Sequence, residues 1–355
     1  MANPLVSVCV TTYHRPAFLR QSLQTILSQD YAPFEVLISD NGSDGETASF
    51  CEALARSDAR VRYVRHPRNI GMHANHNFCI EQSRSDLLCF FHDDDLYAPQ
   101  ILSAYAAFLQ RHPEVGIVCS DWELINGAGE RIGAREARVA PVTRGLDYID
   151  QTIRSGRSSI GCPGAMVRRA ALGAIRFDED GPPGFGDFVV WFQIAERAAV
   201  GHLHQRLWRY RLHGRNVSCR TIESIARDYD QMLNRYCDGH LARWPAHARV
   251  VARWRRAIRR YLFWALAYEL GLHLRHAAAD ETAPSSSRTV FELAEYRLAP
   301  AQLDEVRRQL YRYRTGTLQT AAFALMEGLM GLHLTQPLAW ATRHPALARR
   351  LLGWQ

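Results

Sequence analysis

Short apolar runs alternate with stretches of helical spacing through the first half of the chain. Leu5–Thr12 is a β-rich run that ends at the polar turn Tyr13-His14-Arg15-Pro16. Phe18, Leu19, Leu23, Ile26 and Leu27 then recur at the spacing of one helix face, which predicts a helix over Phe18–Ser28. The same reading predicts strands at Phe34–Ser39, Val61–Arg65, Leu87–Phe91 and Val115–Ser120. It predicts helices at Glu46–Ala55, Met72–Gln82 and Ala98–Gln110. Strands alternating with helices imply an α/β layer with a mainly parallel sheet. Ligands of such sheets sit at the carboxyl ends of the strands. That singles out Thr11–Tyr13, Asp40-Asn41-Gly42-Ser43 and His92-Asp93-Asp94-Asp95.

Residues 126–160 are Gly- and Arg-rich, fit no period, and read as a loop over the site. Ala165–Arg169 reads as a late strand and Phe188–Arg197 as a helix. From Ile222 the pattern is helical to the end, broken near 280–288 by Thr-Ala-Pro-Ser-Ser-Ser. Two domains are therefore expected: an α/β domain over 1–220 and a helical domain over 221–355.

Charge sharpens this division. The first 220 residues hold equal numbers of basic and acidic side chains, so the whole formal charge of +7 falls on the helical part. Such asymmetry points that part towards an anionic surface. Every basic residue is Arg, and the missing Lys excludes the phosphate-loop nucleoside triphosphatases and Schiff-base catalysis. The eight Cys form no CxxC pair or compact cluster and read as reduced core thiols of a cytoplasmic protein. No basic leader and no apolar run of 18 residues predicts export or a membrane span.

Four segments carry candidate chemistry. Three adjacent carboxylates, Asp93-Asp94-Asp95, follow an apolar strand and repel one another unless something cationic binds. A hard cation such as Mg²⁺ or Mn²⁺ takes oxygen ligands and shares them with phosphates; a solvated turn or helix cap uses the same residues. Asp40 and Asn41, with Gly42, suit hydrogen bonds to a base or ribose, and equally suit a tight turn. Asp187 is either a helix cap or a carboxylate acting as general base. Arg209-Tyr210-Arg211-Leu212-His213-Gly214-Arg215-Asn216-Val217-Ser218 packs Arg, His and Asn together. Arg forks match phosphate oxygens, which suits a diphosphate and its metal; a structural His is the alternative.

Taken in order, these segments resemble the inverting glycosyltransferases of family 2, which have the GT-A nucleotide-sugar fold. The pieces are Val6–Tyr13, Ser22-Leu23 through Ser28-Gln29, Phe34–Ser43, Asn69-Ile70-Gly71 with Asn77, Asp93-Asp94-Asp95 with Pro99, Asp187, and Tyr210-Arg211-x-His213-x-x-Asn216-x-Ser218. They cover roughly residues 4–220. The resemblance implies a GT-A fold with a mainly parallel, Rossmann-like sheet flanked by helices. It implies transfer of a sugar, with inversion, from a UDP- or dTDP-sugar to a glycan or lipid-linked acceptor, in assembly of bacterial surface polysaccharide or glycolipid. By position, Thr11, Tyr13, Asp40, Asn41 and Asp93 would bind the nucleotide. Asp94, with His213 near it, would hold a divalent cation, Mn²⁺ or Mg²⁺. Asp95, Arg211 and Arg215 would support them, and Asp187 would deprotonate the acceptor hydroxyl. Three departures stand out: His92 and Gly186 replace acids common in relatives, and Asn41 replaces a second pocket acid.

In the helical part, Arg249, Arg253, Arg256 and Arg260 share one helix face, while Val250, Trp254, Ile258, Tyr261 and Leu262 fall largely elsewhere. This basic amphipathic helix suits the inner face of an anionic membrane, or packing on the α/β domain with a solvated Arg face. Thr315–Thr342 has Glu327 as its only charge and reads as a buried helix pair or a membrane-dipping segment. Nucleic acid is the less favoured partner, because the Arg residues are not interleaved with a nucleic-acid module. A nucleotidyltransferase also uses acids and Mg²⁺ on such a sheet, but it leaves Asp187 and the 209–218 motif without a role.

Overall fold

The computed structural model describes residues 3–182, 184–214, 216, 222–260, 262 and 308. The chain divides into two compact units, one of residues 1–152 and 157–216, the other of 153–156 and 217–355. In chain order the elements are β1 (Val6–Thr12), α1 (Pro16–Leu27), β2 (Phe34–Asp40), α2 (Gly45–Ser57), β3 (Val61–Arg65), α3 (Met72–Gln82), β4 (Leu87–His92), β5 (Leu96–Tyr97), α4 (Ile101–Arg111), β6 (Val115–Asn126), β7 (Arg131–Arg135), β8 (Val142–Thr143), α5 (Gly145–Ser155), β9 (Ala165–Arg168), α6 (Arg169–Leu172), α7 (Gly186–Ala195), β10 (Ala199–Leu212) and α8 (Ile222–Arg243).

Among the described residues all ten strands join one sheet of order β3-β2-β1-β4-β9-β6-β10-β5, with β7 added on β6 and β8 on β10. β3, β2, β1 and β4 run parallel. β9 is inserted antiparallel between β4 and β6, and β10 returns parallel to β6. The central strands bury both faces: Val6, Val8 and Val10 of β1 and Val36, Leu37 and Ile38 of β2 are fully buried. Side chains on both faces need apolar cover, which is why these strands read as continuous apolar runs. The register aligns Thr12 with Asp40 and Thr11 with His92, so the carboxyl ends of β1, β2 and β4 stand side by side.

Two expectations need correction. Residues 126–160 are not one loop. They hold the β6–β7 hairpin, closed by Asn126 N–H donating to the Glu130 carbonyl at 2.9 Å, then β8 and α5. Strand β10 was not expected at all. Its alternation is broken by register shifts at Leu203/Arg206 and Arg206/Trp208, and it exposes His204, Gln205 and Arg206 in succession. A strand with bulges loses the period of two that marks it in a sequence.

In the second unit α8 is followed by a 3₁₀ turn at Pro245–His247 and further helix over 248–260. Val251, Trp254, Ile258 and Leu262 are buried, whereas Arg249, Arg253, Arg256 and Arg260 are all exposed. Arg255 forms an ion pair with Asp238 of α8. The expected break at 280–288 and the apolar segment Thr315–Thr342 lie outside the described residues. Among those described, no helix is long and apolar enough to cross a membrane. Of the eight Cys, the seven described are free thiols.

Candidate active site

The site begins where β4 ends. After His92 the chain turns sharply, and the turn is pinned from several sides. Ser22 of α1 donates to the His92 carbonyl at 2.8 Å, and the His92 N–H donates to the Tyr97 hydroxyl at 2.7 Å. Tyr97 stacks on Phe91 at 3.8 Å and pairs, through β5, with Trp208 of β10. The three carboxylates that follow are buried, and each meets different groups.

Asp93 accepts from Thr12 Oγ1 at 2.7 Å and from Arg15 Nη1 at 3.3 Å. Asp94 Oδ2 accepts from Arg15 Nη1 at 2.6 Å and from His213 Nε2 at 2.9 Å. Asp95 Oδ1 accepts the backbone N–H of Arg211 at 2.7 Å. Its other oxygen, Oδ2, is buried with no hydrogen-bond partner and lies 3.9 Å from His92 Nδ1. Burial, then the charge of Asp94, pushes Asp93 and Asp95 upward from the ordinary carboxylate range. Burial acts on Asp94 too, but the His213 hydrogen bond and the charges of His92 and Arg15 outweigh it and hold Asp94 low. Asp94 is thus the carboxylate kept ionised, while Asp93 and Asp95 beside it hold their protons more tightly.

These residues fit a divalent cation. Donor atoms of His92, Asp94 and Asp95 all lie within 4.8 Å of one another. Asp95 Oδ2 is an orphaned buried oxygen, and buried polar atoms without partners are rare. His213 Nε2 lies 2.9 Å from Asp94 Oδ2, so its imidazole stands beside the carboxylate that would hold the ion.

His213 arrives by the geometry of β10. Its ring stacks on Phe18 of α1 at 4.9 Å. Its N–H donates to Asn216 Oδ1 at 3.0 Å, and Asn216 Nδ2 donates back to the Arg211 carbonyl at 2.8 Å. Gly214 sits between them at φ 74°, where a side chain is strained. Arg211 is wholly buried. Its guanidinium donates to the carbonyls of Asp94 and Gly127 and to Gln21 Oε1, and lies 4.9 Å from the Phe18 ring. Each of the three guanidinium nitrogens thus has a partner within the protein. Arg211 braces the acidic turn. Arg215 lies outside the described residues.

At the end of β2, Asp40 is fully buried; Oδ1 accepts from the Ser43 N–H at 2.8 Å and Oδ2 from the Tyr63 hydroxyl at 2.6 Å. Asn41 exchanges hydrogen bonds with Asn69 and the Ile70 N–H at 2.9 and 2.8 Å. Asn41 ties the 41–43 and 69–71 turns together, and Asp40 ties the first of them to β3. Thr11 is half-buried and Tyr13 is exposed, so both face outward at the rim of β1.

Asp187 occupies the first turn of α7 after Phe185, which takes the left-handed conformation at φ 65°. The N-terminal helix dipole favours its charge, yet burial dominates and pushes its carboxyl up to about 6. Gly186 admits the ring of His73: a Cβ there would lie 2.5 Å from His73 Nε2. This explains why an acid cannot stand at that position here. Burial first, then the charge of Asp187, pushes the Cys162 thiol upward.

Arg15 escaped the sequence reading, which saw only part of a turn. The signal was indirect: three clustered acids require a cation, and Arg15 is the one that β1 delivers from 78 residues away.

Comparison with known proteins follows the same segments. Residues 7–175 match the family described as Glycosyl transferase family 2. A Campylobacter jejuni GalNAc(5)-diNAcBac-PP-undecaprenol beta-1,3-glucosyltransferase is 30% identical over 93 residues, 26% of this chain and 30% of that protein. The S. aureus TarS 1-349 structure in complex with UDP-GlcNAc superposes with TM-score 0.53 and 17% identity, covering 87% of this chain and 91% of TarS. The Pyrobaculum calidifontis mannosyltransferase PcManGT, in complex with GDP-Man and Mn2+, gives TM-score 0.54 and 18% identity, covering 93% and 87%. These structural likenesses show the fold. The chain spans less than two thirds of the length of curated relatives it matches, 64%, 13% and 49% for three of them.

Proposed function

From the premise that residues 7–175 make this chain a member of glycosyl transferase family 2, we propose that it transfers a sugar from a nucleoside-diphosphate donor to an acceptor hydroxyl with inversion. The observation that carries this reading is the carboxylate of Asp94, held ionised by His213 and Arg15 beside the buried Asp95. A divalent cation bound at Asp94, with His213 beside it, would offset the charge that develops on the departing diphosphate.

The chain's own residues supply the rest. Thr11 and Tyr13 form the open rim against which a base and ribose rest, while Asp40 and Asn41 keep the adjoining turns in place. Asp93, fixed by Thr12, completes the nucleotide side. Asp187 titrates at about 6, so at neutral pH it is ionised and only weakly held in that state. Such a carboxylate accepts the proton of an acceptor hydroxyl as the new bond forms, an effect worth about 10²–10⁴-fold in rate. A single displacement inverts the anomeric centre.

The donor is a nucleoside-diphosphate sugar, with UDP- or dTDP-sugars as first choices. The acceptor is a glycan or a lipid-linked sugar. The exposed Arg face of 249–260 suits the anionic inner surface of a cell membrane, where such acceptors are found. In this reading residues 1–220 are the catalytic part and 221–355 the part that meets the acceptor's surroundings.

The test is thermal stability with UDP, dTDP, GDP or CMP, each with Mn²⁺ or with EDTA. A ligand at 100 times its dissociation constant adds about 2.7 kcal/mol. Stabilisation by one nucleotide, and only with metal, is expected; no response to any of them refutes the reading.

A further inference from the structure

Asp121 of β6 and His202 and His204 of β10 form a second cluster of ligand-type side chains, with donor atoms all within 4.8 Å of one another. The sheet brings them together at a bulge. Leu203 stands opposite Ser120 and Arg206 opposite Asp121, so residues 204 and 205 are extra on the β10 side. His204 leaves the ladder there, and its ring lies 5.2 Å from the His202 ring. Asp121 is buried, with a side-chain exposure of 6%, and a buried carboxylate needs a counter-charge. Arg206, opposite it in the register, forms its ion pair with Glu136 instead. His202 Nε2 lies 2.8 Å from Asp121 Oδ1. His204 Nδ1 lies 3.8 Å from Asp121 Oδ2, beyond hydrogen-bond reach. On its other side, His204 Nε2 donates to the Val139 carbonyl at 3.0 Å. In the neutral ring that bond leaves Nδ1 an acceptor, facing a second acceptor across the gap. A cation between the two removes the conflict.

We propose that Asp121, His202 and His204 bind a Zn²⁺-class ion that fastens the 136–141 segment to β6 and β10. The donor set selects the ion. Two imidazoles and one carboxylate suit Zn²⁺, whereas Mg²⁺ and Mn²⁺ favour oxygen ligands. Three protein ligands leave a fourth, tetrahedral position to water, and His204, at 44% side-chain exposure, opens the site to solvent. The groups around the cluster are those that orient metal ligands. A ligating His donates its other ring N–H to a backbone carbonyl or a carboxylate, as His204 does to Val139. When His202 ligates through Nε2 its proton is on Nδ1, where the Ser159 backbone favours it. Asp121 Oδ1 also accepts the Ala137 N–H at 2.8 Å, and the His202 backbone N–H donates to the Pro141 carbonyl at 2.8 Å. The ion thus locks a segment already tied at Ala137, Val139 and Pro141. None of these bonds goes to the acidic turn, so the site stands independently of the sugar-transfer reading.

The experiment uses the full chain and its His204→Gln and Asp121→Asn variants, stripped with EDTA and returned to excess Mg²⁺. Zn²⁺ is titrated calorimetrically, and circular dichroism checks folding. His204 is exposed, so His204→Gln should fold even where Asp121→Asn does not. The parent should bind Zn²⁺ at a site that His204→Gln weakens by at least about tenfold, the loss that removal of even an orienting partner gives. Zn²⁺ should slow tryptic cleavage after the exposed Arg138 in the parent and leave it unchanged in His204→Gln, with fragments read by mass spectrometry. Co²⁺ in place of Zn²⁺ should give visible ligand-field bands without the thiolate charge-transfer band of a Cys site. A parent that binds no Zn²⁺ leaves the cluster an ion pair only and overturns the proposal. Full Zn²⁺ affinity in a folded His204→Gln, or a thiolate band in the Co²⁺ spectrum, puts the ion elsewhere and overturns it too. Zn²⁺ binding that depends on His204 but does not alter cleavage after Arg138 overturns the fastening role.

Discussion

His213 Nε2 lies 2.9 Å from Asp94 Oδ2, although 119 residues separate them in the chain. The two meet because β5, which follows the acidic turn, pairs with β10, which ends just before His213. The site is thus closed by the last strand of the sheet. Asp94→Ala should abolish cation-dependent nucleotide binding, and His213→Ala should weaken it by roughly 10–100-fold, as loss of a ligand or its orienting partner does. Titrations of UDP and GDP with Mn²⁺ and with EDTA check this. Binding by Asp94→Ala that is unaffected by EDTA contradicts the cation assignment.

Arg211 carries a fully buried charge, and each of its three guanidinium nitrogens donates to the protein. Arg211→Ala leaves the Asp94 and Gly127 carbonyls and Gln21 unpaired and should destabilise the chain by about 3–5 kcal/mol, the usual cost of breaking a buried charged network. Urea unfolding reads this directly. A loss below about 1 kcal/mol, with diphosphate affinity reduced instead, would show that Arg211 faces the ligand.

Asp187 makes a pH prediction with two signs. Its folded carboxyl titrates at about 6, above the ordinary 3.8. Transfer should therefore rise with pH through a limb near 6, where the base form appears. Stability runs the other way. The folded state binds the proton more tightly, so this group stabilises below 3.8 and that contribution is lost as pH rises through 6. Asp187→Asn should consequently be more stable than the parent at pH 8, by roughly 1–3 kcal/mol, and equal to it at pH 3. Melting curves at the two pH values decide it; a parent more stable than Asp187→Asn at pH 8 contradicts the burial argument.

The exposed arginines of 249–260 should attach the chain to anionic lipid. Replacing Arg249, Arg256 and Arg260 by Gln should cost about 1 kcal/mol each in binding to vesicles containing phosphatidylglycerol. Flotation with neutral and anionic vesicles measures it. Equal flotation of the parent with both kinds would remove the electrostatic role.

The part of the fold legible in the sequence is the part built from unbroken apolar runs. β1, β2, β4 and the start of β6 are buried on both faces, so pattern reports structure there. β10 was hidden because its bulges interrupt the alternation and its polar members point to solvent. β7 and β8 were hidden because short edge strands have no pattern to show. In the site, Asp93, Asp94 and Asp95 stood out as repelling neighbours, whereas Arg15 becomes visible only when β1 and β4 are laid together. Arg211 and Asp40 stood out by type, but burial decides their roles, and burial is not written in a residue's identity.

The central claim is that Asp187 is the base that activates the acceptor while the acidic turn binds the donor. The most direct test measures both functions in one variant. Asp187→Asn should keep Mn²⁺-dependent nucleoside-diphosphate binding at the parent's affinity and lose sugar transfer by about 10²–10⁴-fold. Substantial transfer by that variant, or loss of nucleotide binding together with transfer, would contradict the account.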